Sequence, residues 1–144
     1  MLVSQILKSK AQEGVFTVPP TMPVSDAVKL LSEKRIGTVI VSQDGAAADG
    51  ILSERDIVRE LAARGAGCLS CTVSDLMTSK LVTCRLDDIA DVVLQKMTDG
   101  RFRHMPVIET GKLVGVISLG DVVKARLMEL AMEKDALEGM IMGH

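Results

Sequence analysis

One phrase occurs twice in this chain. Gly50-Ile51-Leu52-Ser53-Glu54-Arg55-Asp56-Ile57-Val58 returns as Gly115-Val116-Ile117-Ser118-Leu119-Gly120-Asp121-Val122-Val123, which places Asp56 and Asp121 65 residues apart. An internal period restricts the fold to architectures that use one supersecondary unit twice. In both copies an apolar, β-branched strand runs into Ser-x-x-Asp, a helix-start signature in which the hydroxyl and the carboxylate satisfy amides of the first turn. At 144 residues and 47% apolar content, a half-length copy would struggle to bury a core alone, so the two are expected to share one core.

Taken in order, Val3–Leu7 reads as a short amphipathic segment and Val15–Val18 as a strand stopped by Pro19-Pro20. Ser25-Asp26 is expected to cap a helix over Ala27–Lys34, whose apolar positions suit one buried face. Ile36–Val41 is a predicted strand, Asp44-Gly45 a turn lengthened by Ala46–Ala48, and Gly50–Leu52 the return strand. Ser53 then opens a helix to about Arg64. The unit is β-α-β-β-α. The second copy restates it. Val73–Met77 parallels Val3–Leu7, Leu81–Cys84 parallels Val15–Val18, and Asp87-Asp88 leads a helix through Met97 that Asp99-Gly100 ends. Arg101–Ile108, the turn Thr110-Gly111-Lys112 and Leu113–Ile117 form a hairpin, and a last helix runs from Ser118 to about Met142. The expected boundaries are 1–65 for the first repeat, 66–72 for a linker, 73–127 for the second repeat and 128–144 for a C-terminal helical extension. On that last helix Val123, Leu127, Leu130, Leu137 and Ile141 form an apolar seam, widened by Met128, Met132 and Met140. Such a seam is expected to make a homodimer.

Composition removes several classes of function. Phe16 and Phe102 are the only aromatic residues, which leaves no platform for stacking single-stranded bases. A net charge of −2 without a basic run lacks the electrostatic footprint of a nucleic-acid binder. No apolar run is long enough to span a bilayer, and the opening residues do not read as a signal peptide. Three cysteines cannot all pair internally, which suits a reducing, cytoplasmic location. Cys68-Leu69-Ser70-Cys71 has the spacing of a dithiol or half a zinc site, but only Cys84, His104 and His144 remain as further ligands of the same kind. A small-residue linker explains the pair without chemistry. No nucleophile and base motif, phosphate loop or metal spacing points to catalysis.

With both Gly-x-x-Ser-x-x-Asp phrases in place, and Arg101-Phe102-Arg103-His104-Met105-Pro106-Val107 leading into the second, the chain resembles a tandem pair of cystathionine beta-synthase (CBS) domains, a Bateman module. The resemblance covers nearly all of it. It implies a mixed α/β (α+β) fold of two β-α-β-β-α repeats packed sheet to sheet with pseudo-two-fold symmetry, and an added C-terminal helix. Clefts between such repeats bind adenosine-containing ligands, AMP, ADP, ATP, S-adenosylmethionine or NAD(H), and the module senses rather than catalyses. AMP is the first expectation here, with no cofactor required and a regulated enzyme or transporter as partner. A ligand-independent dimerisation scaffold is the competing expectation.

The chemistry of the residues is compatible with that role. A carboxylate in a helix's first turn can accept from both vicinal ribose hydroxyls, and the preceding Ser and helix amides favour phosphate, which assigns Asp56, Asp121, Ser53 and Ser118. The same Ser-x-x-Asp is also a capping box that needs no ligand. Ile36, Ile51 and Ile117 would line the adenine. Thr17 and Thr83 match the family's threonine near base or ribose, and Pro106 belongs to the matched phrase. Arg103 and His104 stand where the first repeat has Gly37 and Thr38, so one cleft is expected to be the better anion site.

Overall fold

The computed structural model describes residues 1–10 and 16–142. Val15, expected to begin the first strand, and His144, weighed as a metal ligand, lie outside the described residues. The elements in chain order are α1 (Val3–Ser9), β1 (Thr17–Val18), α2 (Val24–Lys34), β2 (Thr38–Val41), β3 (Gly50–Ser53), α3 (Glu54–Arg64), a 3-10 helix (Gly65–Ser70), α4 (Val73–Leu76), α5 (Ala90–Gly100), β4 (His104–Glu109), β5 (Lys112–Ser118) and α6 (Leu119–Ile141). The class is mixed α/β, as expected, and the described residues hold two small sheets and six α-helices.

Two compact units result. The described residues of Met1–Glu13, Thr83–Val107 and Gly115–His144 form one, and those of Gly14–Val82 with Ile108–Val114 form the other. These units do not coincide with the sequence repeats. The first holds α1, from the first repeat, against the body of the second. Val3 N donates to Asp88 O at 2.9 Å and Ala90 N to Met1 O at 2.9 Å, around an antiparallel bridge between Leu2 and Ile89. The second unit contains the matching arrangement with the repeats reversed: Val73 N, at the start of α4, donates to Met22 O at 2.8 Å and Val24 N to Cys71 O at 2.9 Å, around the bridge between Pro23 and Thr72. Each short helix is thus lent to the other repeat's unit.

This exchange corrects the expectation of one shared core. Val3, Ile6, Val93, Met97, Met105, Val107, Ile117 and Val122 form one buried cluster, while Val18, Val24, Leu31, Val39, Leu52, Val73 and Leu76 form another. Each cluster draws on both repeats, so neither half-length copy completes a core from its own residues. Burying a Val or Ile side chain of this kind contributes roughly 1.5–3 kcal/mol.

The second unit carries a three-stranded sheet in the order β1-β2-β3, parallel between β1 and β2 and antiparallel between β2 and β3. Several boundaries depart from the sequence reading. The first long helix begins at Val24 rather than after Ser25-Asp26, because the Pro23 bridge and the Val24 amide bond set its start. Ile36 falls outside β2. Arg35 closes α2 in the left-handed region at φ 54°, and Ile36 N still bonds back to Leu31 O at 3.1 Å. Leu81–Cys84 forms no strand, only one parallel bridge from Cys84 to Val107. Cys84 N donates to Pro106 O at 3.0 Å, and Pro106 has no N–H with which to extend the ladder. Similarly, α5 starts at Ala90, since Asp88 spends its carboxylate on Arg85 N at 2.8 Å. Gly100 is its last residue and Arg101, φ 57°, its left-handed cap. A Cβ at Gly100 would run into the Phe102 ring, which would have to shift.

The turn between β4 and β5 places both Thr110 (φ 49°) and Gly111 (φ 76°) in the left-handed region, the geometry of a tight hairpin. The 3-10 helix (Gly65–Ser70) lies between α3 and α4. No helix among the described residues is long and apolar enough to cross a membrane.

Candidate functional site

The two Ser-x-x-Asp phrases build equivalent helix starts, one in each unit. In the second unit, β3 delivers Ser53 as N-cap of α3 with extended backbone. Ser53 Oγ accepts from Asp56 N at 3.2 Å, and Asp56 Oδ2 accepts from Ser53 N at 2.9 Å. Ser53 Oγ also donates to Asp56 Oδ2 at 3.0 Å. The first helical amide, Glu54 N, donates to Gly37 O at 2.9 Å. Asp56 is 5% exposed, so its charge needs partners. Arg59 supplies one, with Nη2 3.1 Å from Asp56 Oδ1, and Thr78 Oγ1 reaches the same oxygen at a long 3.5 Å.

Ile51 and Ile36 are half-buried. Ile51 pairs on β2 with Ile40, which in turn pairs with Thr17 of β1, so Thr17 lies two strands away from Ile51 across one sheet.

In the first unit β5 ends at Ser118, the N-cap of α6. Asp121 N donates to Ser118 Oγ at 3.1 Å, and Asp121 Oδ2 accepts from Ser118 N at 2.9 Å. Leu119 N donates to Arg103 O at 2.7 Å, the counterpart of the Gly37 contact. That bond pins the backbone of Arg103 at the mouth of α6, with its side chain exposed. His104 beside it is half-buried. Thr83 is half-buried, and its carbonyl accepts from Lys96 Nζ at 3.4 Å. Pro106 and Ile117 are both buried, Ile117 without any exposed surface. Its side chain belongs to the core, so it presents no wall to a base.

The cation on Asp121 comes from elsewhere in the chain. Lys10 Nζ lies 2.8 Å from Asp121 Oδ2 and also donates to Val116 O at 2.9 Å. Partial burial pushes the Asp121 carboxyl up, but the Lys10 bond and those from Ser118 outweigh it and hold the group below the usual carboxylate value. Sequence reasoning missed Lys10, Arg59 and Thr78. Arg59 carried a signal, since position i+3 on a helix faces the same way as Asp56. Lys10 and Thr78 carried none.

A third capping box tempers the functional reading of the first two. Thr72 N and Thr72 Oγ1 donate to Asp75 Oδ2 at 3.1 and 3.0 Å at the start of α4, where no ligand is expected. Of the Cys68-x-x-Cys71 pair, Cys68 is buried within the 3-10 helix and Cys71 is the half-buried residue that caps its end, and neither forms a disulfide. Cys84 is buried as well; desolvation first, then the nearby Asp88 charge, push its thiol up to about 12 against a small opposing effect of Lys96. Among the described residues no three His, Cys, Asp or Glu gather as a metal site.

Comparison with known proteins agrees with this architecture. The family model described as CBS domain matches residues 3–63 and 73–128. CBS domain-containing protein CBSX3, mitochondrial, from Arabidopsis thaliana is 35% identical over 150 residues, covering 98% of this chain and 72% of that protein. Other Arabidopsis relatives are longer, and the chain spans only 22–24% of their length. Among solved structures, the CBS-domain containing protein ATU1752 from Agrobacterium tumefaciens is 42% identical with a TM-score of 0.82, over 88% of this chain and 99% of that one. The CBS domain protein PAE2072 from Pyrobaculum aerophilum, complexed with AMP, is 26% identical with a TM-score of 0.77, over 92% of this chain and 99% of that one. The family model covers most of the sequence and both repeats, and the chain belongs to the CBS domain family as a tandem pair.

Proposed function

We propose that this CBS pair is a non-catalytic regulatory module that binds an adenosine-containing nucleotide, AMP in preference to ADP, ATP or NAD(H), and passes its occupancy to a partner protein. The observation that carries the reading is the AMP complex of the Pyrobaculum relative, set beside two helix starts here that each present a carboxylate and a serine. In this reading Asp56 and Asp121 take ribose hydroxyls, and Ser53 and Ser118 turn toward phosphate. Ile36 and Ile51 lie against the base, with Thr17 and Thr83 near base or ribose. Arg103 and His104, absent from the first repeat, make one site the stronger anion binder, and Pro106 shapes the strand beside them. The working form is a cytoplasmic homodimer joined through α6, which could serve a regulated enzyme or transporter.

A second reading is a scaffold that dimerises without ligand. It is favoured by the completeness of both capping boxes and by the cations already paired with both aspartates. A thermal-shift panel separates the two. AMP, ADP, ATP, NAD(H) and S-adenosylmethionine should raise the melting temperature, with GMP doing so less; a ligand at a hundredfold excess over Kd adds about 2.7 kcal/mol. No shift with any adenosine ligand at millimolar concentration leaves the scaffold.

A further inference from the structure

Asp121 and Asp56 differ in where their cations come from. Arg59 lies one turn along the same helix as Asp56, and its side chain is 56% exposed. Lys10 follows α1 at the far end of the sequence, its side chain is 27% exposed, and its ammonium contacts two acceptors together, Asp121 Oδ2 and the Val116 carbonyl. An ammonium donates hydrogen bonds and accepts none, as does a vicinal diol toward a carboxylate and a carbonyl. Lys10 therefore satisfies the acceptors that ribose hydroxyls would use.

We infer that Lys10 is a tethered competitor for the Asp121 site, a latch that a nucleotide's ribose must displace to bind. This rests on the nucleotide-binding reading given above. The root of the latch is fixed: Val3 and Ile6 of α1 are 0% and 2% exposed, and Lys10 N caps the helix by donating to Leu7 O at 3.3 Å. Only the side chain has to move. Its four-carbon stem can swing out to water, where the ammonium is well hydrated. Occupancy of this site is then coupled to release of Lys10, whereas the cation at the Asp56 site is an exposed neighbour on the same helix, beside the long Thr78 Oγ1 contact. The lowered pKa of Asp121 agrees with an ion pair that is intact at neutral pH.

The test is calorimetric titration with AMP and with adenosine on the full chain as wild type, Lys10→Met and Lys10→Arg, repeated in an Asp121→Asn background. Lys10→Met should bind AMP and adenosine about three- to tenfold more tightly, the range expected for losing one partly exposed competing ion pair. Its unliganded melting temperature should fall, Lys10→Arg should stay near wild type, and the gain should vanish with Asp121→Asn. Equal affinity of Lys10→Met and wild type overturns the latch while leaving nucleotide binding intact. Weaker AMP binding with unchanged adenosine binding also overturns it, by making Lys10 a phosphate ligand. If wild type and every variant fail to bind AMP, the latch and the nucleotide-binding reading fall together.

Discussion

Gly50 backs directly onto Met77. A Cβ built on Gly50 would lie 2.5 Å from Met77 Sδ and 3.1 Å from the Thr78 carbonyl, because Ile51 and Thr78 exchange both backbone hydrogen bonds at 2.9 Å. At its counterpart Gly115 the nearest atoms to such a Cβ are the methyl ends of Leu7, at 2.9 and 3.0 Å. A side-chain end can rotate away, but a bonded carbonyl cannot. Gly50→Ala should therefore destabilise by about 1–3 kcal/mol, the usual cost of overpacking, and Gly115→Ala by less. Denaturant midpoints of the two variants check the order.

The Lys10–Asp121 pair sets an acid-side expectation. The Asp121 carboxyl is lowered in the folded chain, so its contribution to stability is present above the ordinary carboxylate value and is lost as pH falls through the folded one. Urea midpoints measured from neutral pH downward should decline in wild type, and Asp121→Asn should show a shallower decline. Parallel curves would remove this group from the acid response.

Much of the fold was legible because the repeat fixed it. The hairpin, the starts of α3 and α6 at Ser53 and Ser118, and the length of α6 follow from local chemistry: a turn glycine, two capping boxes and a long helical stretch. The exchange of α1 and α4 was hidden, since Val3 and Val73 look alike in sequence and nothing local names which body each joins. The absent strand at Leu81–Cys84 depended on a proline in its partner. The same division holds at the site. Asp56 and Asp121 were found by the pattern, but Lys10 reaches Asp121 through tertiary structure alone, and Ile117 alternates into the core where Ile51 remains half-buried.

The exposed face of α6 should join two copies of the chain. Leu127, Leu130 and Leu137 are 62%, 49% and 57% exposed, and Met128, Met132, Met140 and Ile141 add to the same uncovered stretch. Sedimentation of the wild type at micromolar concentration should give a dimer, and Leu130→Glu should shift it toward monomer. A monomeric wild type would refute the interface.

Arg103 separates phosphate recognition from support of the pocket. Its backbone is fixed by the Leu119 bond, so truncating the exposed side chain should leave the fold intact. If it contacts phosphate, Arg103→Ala should cost about 1.5–3 kcal/mol in AMP binding, roughly ten- to a hundredfold, and leave adenosine almost unchanged. Equal losses for the two ligands would assign the side chain to shaping the site.

The most direct measurement is a calorimetric titration of AMP into the wild-type chain and into Asp56→Asn/Asp121→Asn, with circular dichroism confirming that the variant is folded. Asparagine retains much of the capping ability of aspartate, so the helix starts should survive. The expected result is saturable binding to the wild type and its loss in the folded double variant. Unchanged AMP affinity in that variant, or no binding to the wild type at millimolar AMP, would contradict it.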